Sequence, residues 1–337
     1  MDTHTAACPP TIKALGSEVA LIIVTHDRAD FLNQLLLSIG QLTISPGYLV
    51  IIDNSSVDNT RAVVEGRIAS LSRSIDVIYL RQDINLGGAG GFNVGMAAAL
   101  ARGANWFWLM DDDVEIVPGG LSSLLDWSDR FKCFHGQRYG SDGTPFFSSQ
   151  RISRRLAVQV PILPDPLKTK RYLLTNWACF EGLFIHRSIV LQIGLPDPRF
   201  FIVWDDAMYG FRASQITEVA FVDSFVMRRA RTQPQINLGV RHLSAASNLT
   251  RYYMMRNRAL IEMYYKHYGN YHPLWFRIGT LLVLVKELVR LFAVERQVRG
   301  LGALYSGMKA AAKLRHEKNM TLMPSLDHRF PIERVEE

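Results

Sequence analysis

Cysteine is scarce in this chain: Cys8, Cys133 and Cys179 are the only three among 337 residues. An odd number at such wide spacing supports neither a disulfide framework nor a four-ligand zinc site, so a reducing compartment is the simpler expectation. Long apolar runs are also missing. The nearest approach, around Leu281 to Val285, is interrupted by Arg277, Lys286, Glu287 and Arg290, and falls short of the roughly 18 uninterrupted residues that cross a bilayer. The N-terminus has no apolar core of signal-peptide length, and Cys8-Pro9-Pro10 would stop a helix. Residues 1–17 therefore read as a flexible arm, and secretion is not expected. No repeat or low-complexity tract occurs, which disfavours solenoids.

What is present is a chain able to bury a large core. Hydrophobic residues make up 48% and charged residues 20%, which rules out a disordered or fibrous protein. Lysine and arginine number 38 against 31 aspartates and glutamates, and the net charge of +7 favours anionic partners: phosphorylated small molecules, lipid headgroups or nucleic acid. The arginines are scattered and no nucleic-acid-binding motif occurs, so nucleic acid is excluded as a partner.

From Glu18 onward, short β-rich apolar runs alternate with segments of helical spacing. VALIIVTH, YLVIIDNSS, DVIYL and NWFWLMDDD read as strands. DRADFLNQLLLSIGQL, SSVDNTRAVVEGRIASL and GFNVGMAAALARGA read as helices, the first capped by its own aspartate. This alternation predicts βαβ units and a parallel sheet covered on both faces. Between Arg130 and Lys170 periodicity fades into Gly, Ser, Pro and basic residues, which predicts loops or a short antiparallel insertion. LLTNWACFEGLFIHRSIV resumes strand-like alternation, and after Arg241 the pattern is mostly helical through Lys318. We expect a boundary near residue 240, separating a unit over 18–240 from a mainly helical region over 241–337.

Ligands of an open parallel sheet bind at the carboxyl ends of its strands, and each polar cluster here falls at such an end. The first strand delivers Thr25, His26, Asp27 and Arg28, and the second delivers Asp53, Asn54 and Ser55. The third is followed by Asn85 and the glycines Gly87, Gly88, Gly90 and Gly91, and the fourth ends in Asp111, Asp112 and Asp113. Three adjacent carboxylates repel one another unless a cation compensates them. Alternation along an extended segment lets Asp111 and Asp113 approach one Mg2+ or Mn2+ ion while Asp112 faces elsewhere; a solvated acidic turn is the plainer alternative. The glycines permit a close backbone approach suited to a nucleotide or phosphate. Helix-on-sheet packing is the alternative for Gly95 and part of the run. A dinucleotide fingerprint is rejected, because these glycines follow the third strand. Much later, RFFIVWDDAMYGFR sets Asp205 and Asp206 behind Trp204 at the edge of a dry pocket, where a carboxylate becomes a useful general base. Trp177, Phe180 and Glu181 would form the opposite wall, Trp177 offering an aromatic face to a sugar, with ordinary core the alternative for both tryptophans.

These clusters resemble the family 2 inverting glycosyltransferases of the GT-A fold over roughly residues 18–230. NLGGAGGF followed by WLMDDD and FIVWDD is most similar to bacterial galactofuranosyltransferases. The resemblance implies an α/β architecture, a Rossmann-like mixed sheet flanked by helices, with a helical C-terminal region. It implies that Thr25, Arg28 and Asp53 contact the uracil or diphosphate and Asn85 the nucleoside, with Gly88 and Asp112 also on the donor side. Asp111 and Asp113 would hold Mn2+ or Mg2+, and Asp206 would be the catalytic base. Trp177, Glu181, Trp204 and Asp205 fall on the acceptor side. The activity implied is transfer of galactofuranose from a UDP-sugar to a lipid-linked or oligosaccharide acceptor in cell-envelope synthesis. Rhamnosyl transfer from dTDP-rhamnose and a catalytically impaired relative are the alternatives.

Two departures from that pattern stand out. Met208 occupies the place of an acid, and Arg228 stands where a third metal-binding histidine is expected. Either His242 reaches the metal from a shifted loop, or Arg228 neutralises the diphosphate directly. A nucleotidyltransferase would carry a glycine-rich basic loop after the first strand, which VTHDRADF lacks. The tyrosine-rich basic opening of the C-terminal region and the amphipathic stretch 274–293 fit a peripheral protein on the anionic cytoplasmic face of a membrane, or a contact between subunits of a homo-oligomer.

Overall fold

The computed structural model describes residues 12–146, 149–163, 165–231, 236–237, 242–243, 246–317 and 320–327. A short helix, α1 (Ile12–Gly16), lies inside the stretch read as an arm. Four parallel strands follow: β1 (Val19–Thr25), β2 (Tyr48–Asp53), β3 (Asp76–Arg81) and β4 (Trp106–Asp111). Helices α2 (Ala29–Ile39), α3 (Thr60–Leu71) and α4 (Gly87–Ala101) connect them, and the strands stand in the order β3-β2-β1-β4. β1 is buried at every position, as a continuously apolar strand between two helical layers must be. The aspartate cap on α2 comes from another loop: Asp58 accepts the Ala29 N–H at 2.9 Å, while Asp27 is turned to the Val57 N–H.

The later strands are β5 (Val114–Ile116), β6 (Cys133–Tyr139), β7 (Pro145–Phe146), β8 (Gln150–Ile152), β9 (Gln159–Pro161), β10 (Tyr172–Thr175), β11 (Leu183–His186), β12 (Val219–Arg229), β13 (Ile236–Asn237) and β14 (His242–Leu243). β11 joins β4 antiparallel, β6 joins β11 antiparallel, β12 runs parallel to β6, and β10 closes the edge antiparallel to β12. The sheet is therefore mixed. β6 falls in the stretch expected to hold loops or a short antiparallel insertion; it pairs antiparallel with β7 and also enters the main sheet, its polar letters being misleading because His135 and Arg138 are buried against internal partners. The alternation in LLTNWACFEGLFIHRSIV breaks at 176–182, where Gly182 adopts φ 107°, so it yields two strands that are not neighbours. The expected antiparallel insertion is the β8–β9 pair.

Helices α5 (Gly120–Leu125), α6 (Arg187–Ile193) and α7 (Asp205–Ala213) flank the mixed half. After them come α8 (Asn248–Arg256), α9 (Arg258–His267), α10 (Pro273–Val289) and α11 (Leu301–Arg315), the helical region that the pattern after Arg241 predicts. They share a core with the sheet unit: Trp177, Trp204, Met208 and Phe211 pack in one cluster with Leu260, Tyr264, Tyr265 and Phe276.

α4 lies close against the sheet because its glycines leave room. A Cβ at Gly95 would meet Ile22 Cγ2 at 2.5 Å, and one at Gly91 would meet Val24 Cγ1 at 2.5 Å. Gly95→Ala should therefore lower stability by about 1–3 kcal/mol through overpacking. Gly66→Ala, on exposed α3 with open space around it, should raise stability by about 0.5–1 kcal/mol. Denaturant unfolding of the two variants measures these opposite signs.

Candidate active site

The acidic run lies at the carboxyl end of β4. Asp112 turns back toward β1, where the Thr25 hydroxyl donates to it at 2.7 Å and Arg28 at 3.0 Å; the same Arg28 nitrogen reaches Asp113 at 3.2 Å. The Asp111 carboxylate has no hydrogen bond or ion pair among the described residues. Burial raises its carboxyl well above the usual range, and the charges of Asp113, Glu181 and Asp112 raise it further. Such a surplus of negative charge suits a hard divalent cation, with Asp111 and Asp113 as its oxygen ligands. Among the described residues no group of three or more His, Cys, Asp or Glu side chains forms a ready metal cage. Diphosphate oxygens and water would have to complete the coordination. The His242 side chain lies outside the described residues.

The neighbouring strand ends are more self-contained than the sequence implies. Asp53 is wholly buried, accepting the Ser56 N–H at 2.8 Å and the Tyr79 hydroxyl at 2.7 Å. Asn85 is exposed and accepts the Gly87 N–H at 2.8 Å, which fixes the start of α4. Asn54 donates to the Gly87 carbonyl at 2.9 Å, and its own side-chain oxygen is buried with no partner among the described residues. The glycine run divides by role: Gly91 and Gly95 pack against the sheet, whereas the nearest atom to a Cβ at Gly88 would be Asp205 Oδ2 at 3.7 Å.

That contact brings the first half of the chain to the second acidic pair. Asp205 and Asp206 are the first residues of α7, whose N-terminal dipole favours carboxylates. The cap is Trp204, held at φ 73°, next to Val203 at 69° and Phe201 at 61°. Burial lifts both carboxyls above the ordinary aspartate range, and the charge of Asp206 lifts Asp205 further. The Ala207 N–H, at 2.6 Å, and the Cys179 thiol donate to Asp206 and moderate its rise.

Glu181 and Cys179 come from the turn that precedes β11. Arg229 grips Glu181 with two bonds of 2.8 and 2.7 Å, and Arg138 approaches it at 2.7 Å. Both guanidinium groups hold the Glu181 carboxyl below the ordinary range despite its burial. Cys179 Sγ stands 3.9 Å from Arg138, and its thiol, pushed up by burial, feels Asp206, Glu181 and Asp111 together. His135 is lowered to about 3 by burial and is therefore neutral, free to accept the Cys179 N–H at 3.3 Å.

Several sequence expectations change here. Arg228 is exposed, and Arg229 is the arginine beside the acids, because irregular pairing between β12 and β6 at Phe221, Phe225 and Met227 resets which residues of β12 face inward. Trp177 and Trp204 are each 4% exposed in the core, so neither offers an open aromatic face. Glu181 is buried with both oxygens bonded to arginines, so its first duty is to pair Arg138 and Arg229. Met208 is buried in the apolar cluster, where an ionised acid would need a partner. Arg138, Arg229 and Cys179 were not singled out from the sequence; only the pairing of β6, β11 and β12 brings them to one place.

With this geometry in view, comparison with known proteins is informative. The model of Glycosyl transferase family 2 matches residues 20–192. Galactofuranosyltransferase GlfT1 of Mycobacterium tuberculosis is 32% identical over 204 residues, 57% of this chain and 63% of the relative. GlfT1 of Mycolicibacterium smegmatis is 29% identical over 200 residues, 56% of this chain and 62% of that protein. The chain thus spans less than two thirds of the length of these relatives. Among solved structures, S. aureus TarS 1–349 in complex with UDP-GlcNAc has a TM-score of 0.51 at 13% identity, covering 88% of this chain and 81% of that one. GalNAc-T7 with UDP, GalNAc and Mn2+ has a TM-score of 0.51 at 15% identity, covering 63% and 43%. The fold is the GT-A fold.

Removing the charge of Glu181 would strand two enclosed guanidinium groups. Glu181→Gln should cost about 3–5 kcal/mol in urea unfolding, the usual penalty for breaking a buried pair from one side. Because folding holds this carboxyl below its unfolded value, its contribution is present above that value and is lost as pH falls through the lower, folded one.

Proposed function

The chain belongs to glycosyl transferase family 2, and from that premise we propose that it is an inverting, nucleotide-sugar-dependent transferase acting on UDP-galactofuranose. The 29–32% identity to the GlfT1 proteins supports galactofuranose as the sugar moved. One observation carries the reading: Asp205, at the start of α7, has Oδ2 3.7 Å from where a Cβ at Gly88 would stand, so the acid pair meets the glycine run that follows β3. We read the acid pair and the acidic run after β4 as two sides of one reaction space, one where a leaving group departs and the other where a nucleophile loses a proton.

Negative charge grows on the diphosphate as the glycosidic bond breaks. Arg28, partly exposed and anchored by Asp112 and Asp113, has further N–H groups to offer that charge. A Mg2+ or Mn2+ ion bound by Asp111 and Asp113 would supply electrostatic stabilisation of the same group. Thr25 fixes Asp112 and so the direction of Arg28. Asp53 shapes the base-binding loop through Ser56 and Tyr79, and Asn85 and Gly88 border the nucleotide at the start of α4. Asp206 takes the proton of the acceptor hydroxyl as it attacks, and a single displacement inverts the anomeric centre. Asp205, beside Gly88, lies where donor and acceptor meet.

We place 18–240 as the transferase unit and 241–337 as the helical part that presents a lipid-linked or polysaccharide acceptor at the cytoplasmic face of a membrane. Among the described residues no helix is long and apolar enough to cross one. α10 instead buries Phe276, Gly279, Val283 and Glu287 and exposes Leu274, Trp275, Leu281, Leu282, Val285 and Val289, with Phe292 just beyond. An apolar stripe beside Arg277 and Lys286 suits an anionic lipid surface.

Asp206→Asn should lower transfer by about 10²–10⁴-fold with UDP affinity retained, measured by UDP release and by calorimetry. The wild-type rate should fall on acidification at a pH above the ordinary aspartate range, because protonating a carboxyl that burial has raised removes the base. A donor screen that favours dTDP-rhamnose over UDP-galactofuranose would reassign the sugar. Flotation with phosphatidylglycerol-containing liposomes should carry the protein upward at low salt, and Leu281→Glu with Val285→Glu should leave it at the bottom.

A further inference from the structure

We propose that Asn257, at the junction of α8 and α9, is a positioning residue for the Asp205–Asp206 pair. The inference rests on the reading of Asp206 as the base, and it makes the C-terminal helices part of the catalytic apparatus.

Asn257 is wholly buried, and its side-chain nitrogen donates to three carbonyls of one loop: Phe200 at 2.9 Å, Ile202 at 3.1 Å and Val203 at 2.9 Å. Its side-chain oxygen accepts an Arg256 N–H at 2.8 Å, which settles the orientation of the amide. The loop it grips is the one with Phe201, Val203 and Trp204 at positive φ. Side chains with a Cβ rarely adopt that conformation, and three in four residues persist only where the surroundings over-determine them. Immediately afterwards the Trp204 carbonyl accepts the Met208 N–H at 2.8 Å and opens α7, so the path of the loop sets the direction of Asp205 and Asp206.

The loop is held from both sides. On the donor side the Ala89 N–H bonds to the Phe201 carbonyl at 3.1 Å, and Gly87 has no space for a Cβ against that same carbonyl. On the C-terminal side the Phe201 ring stacks on Tyr253 with centroids 4.8 Å apart, and Arg256 donates to the Arg199 carbonyl. Among these contacts Asn257 reaches the most loop carbonyls. Its chemistry is specific: a primary amide on a one-carbon stem supplies two N–H groups toward the loop while its oxygen takes the guanidinium. Aspartate has the same shape but would turn oxygen toward three carbonyls. Without the clamp, the positive-φ residues relax and α7 starts in a new direction, carrying Asp206 away from Cys179 and from the acceptor hydroxyl. Displacements of about 1 Å at a reacting group cost on the order of 100-fold in rate.

The test uses the full chain and steady-state kinetics with UDP-galactofuranose and manganese, alongside UDP calorimetry and thermal melts. Asn257→Asp and Asn257→Ala should lower kcat by about 10–100-fold while UDP affinity and the donor KM stay within about twofold, and the acidic limb of the kcat–pH profile should move. Tyr265→Phe, which loses a bond from the same helices to the Ser153 carbonyl, should lower the Tm and leave kcat alone. Adding Val203→Gly to Asn257→Ala should recover activity and yield, because glycine takes positive φ without strain. Folded Asn257→Asp with wild-type kcat, loss of UDP affinity in step with kcat, or no recovery by Val203→Gly would each overturn the role. Asp206→Asn separates the two failures: full turnover there removes the base assignment, whereas an inactive Asp206→Asn beside a fully active Asn257→Asp removes only the positioning role.

Discussion

Repulsion among buried like charges is the constraint on which this molecule turns. Asp111, Asp112, Asp113, Glu181, Asp205 and Asp206 converge from β4, the turn before β11 and α7, where low dielectric makes each repulsion expensive. Three arginines offset part of it: Arg28 takes Asp112 and Asp113, while Arg138 and Arg229 share Glu181. The compensation is uneven. Asp111 feels Arg28 only at a distance, without an ion pair, and Asp206 is eased by the Ala207 amide, the Cys179 thiol and the more distant charge of Arg138. In the proposed mechanism those under-compensated places supply the electrostatic sink and the base, so the imbalance that burdens folding would serve the chemistry.

The fold fixes those groups relative to one another through contacts between the elements that carry them. The end of β12 is tied to the acidic run where the Ala230 N–H bonds the Asp113 carbonyl at 2.9 Å, which brings Arg229 to Glu181. The start of α4 touches the loop before α7 through Gly87 and Ala89, linking the end of the third strand to the acid pair. The helices after residue 246 close the remaining side through Asn257, Tyr253 and the cluster around Trp204. A glycosyltransferase must exclude water from a reactive sugar, and a site assembled from four separate stretches of chain is suited to that.

Much of this was legible in the sequence, and what was hidden has a common cause. Periodicity alone reveals β1 to β4 and their helices, since strands buried on both faces must be continuously apolar. The acidic run and the Asp205–Asp206 pair declare themselves, because unpaired carboxylates beside apolar runs have few other uses. β6 was masked by His135 and Arg138, whose polarity is satisfied only by residues distant in sequence. The pairing of Arg229 with Glu181 was hidden because irregular pairing of β12 changes which residues face inward without leaving a local signal. Trp177 and Trp204 carry the letters of a sugar platform and the burial of core. Asn257 gives no sign of itself at all: one asparagine between two helices is unremarkable until the loop it holds comes into view.

The most direct measurement is a crystal structure of the chain with UDP and manganese, with the metal located by anomalous scattering. The account predicts one strong peak against Asp111 and Asp113, the diphosphate alongside it near Arg28, and the sugar-bearing end of the nucleotide directed toward Asp206. A manganese peak elsewhere, or a diphosphate whose open end points away from α7, would contradict it.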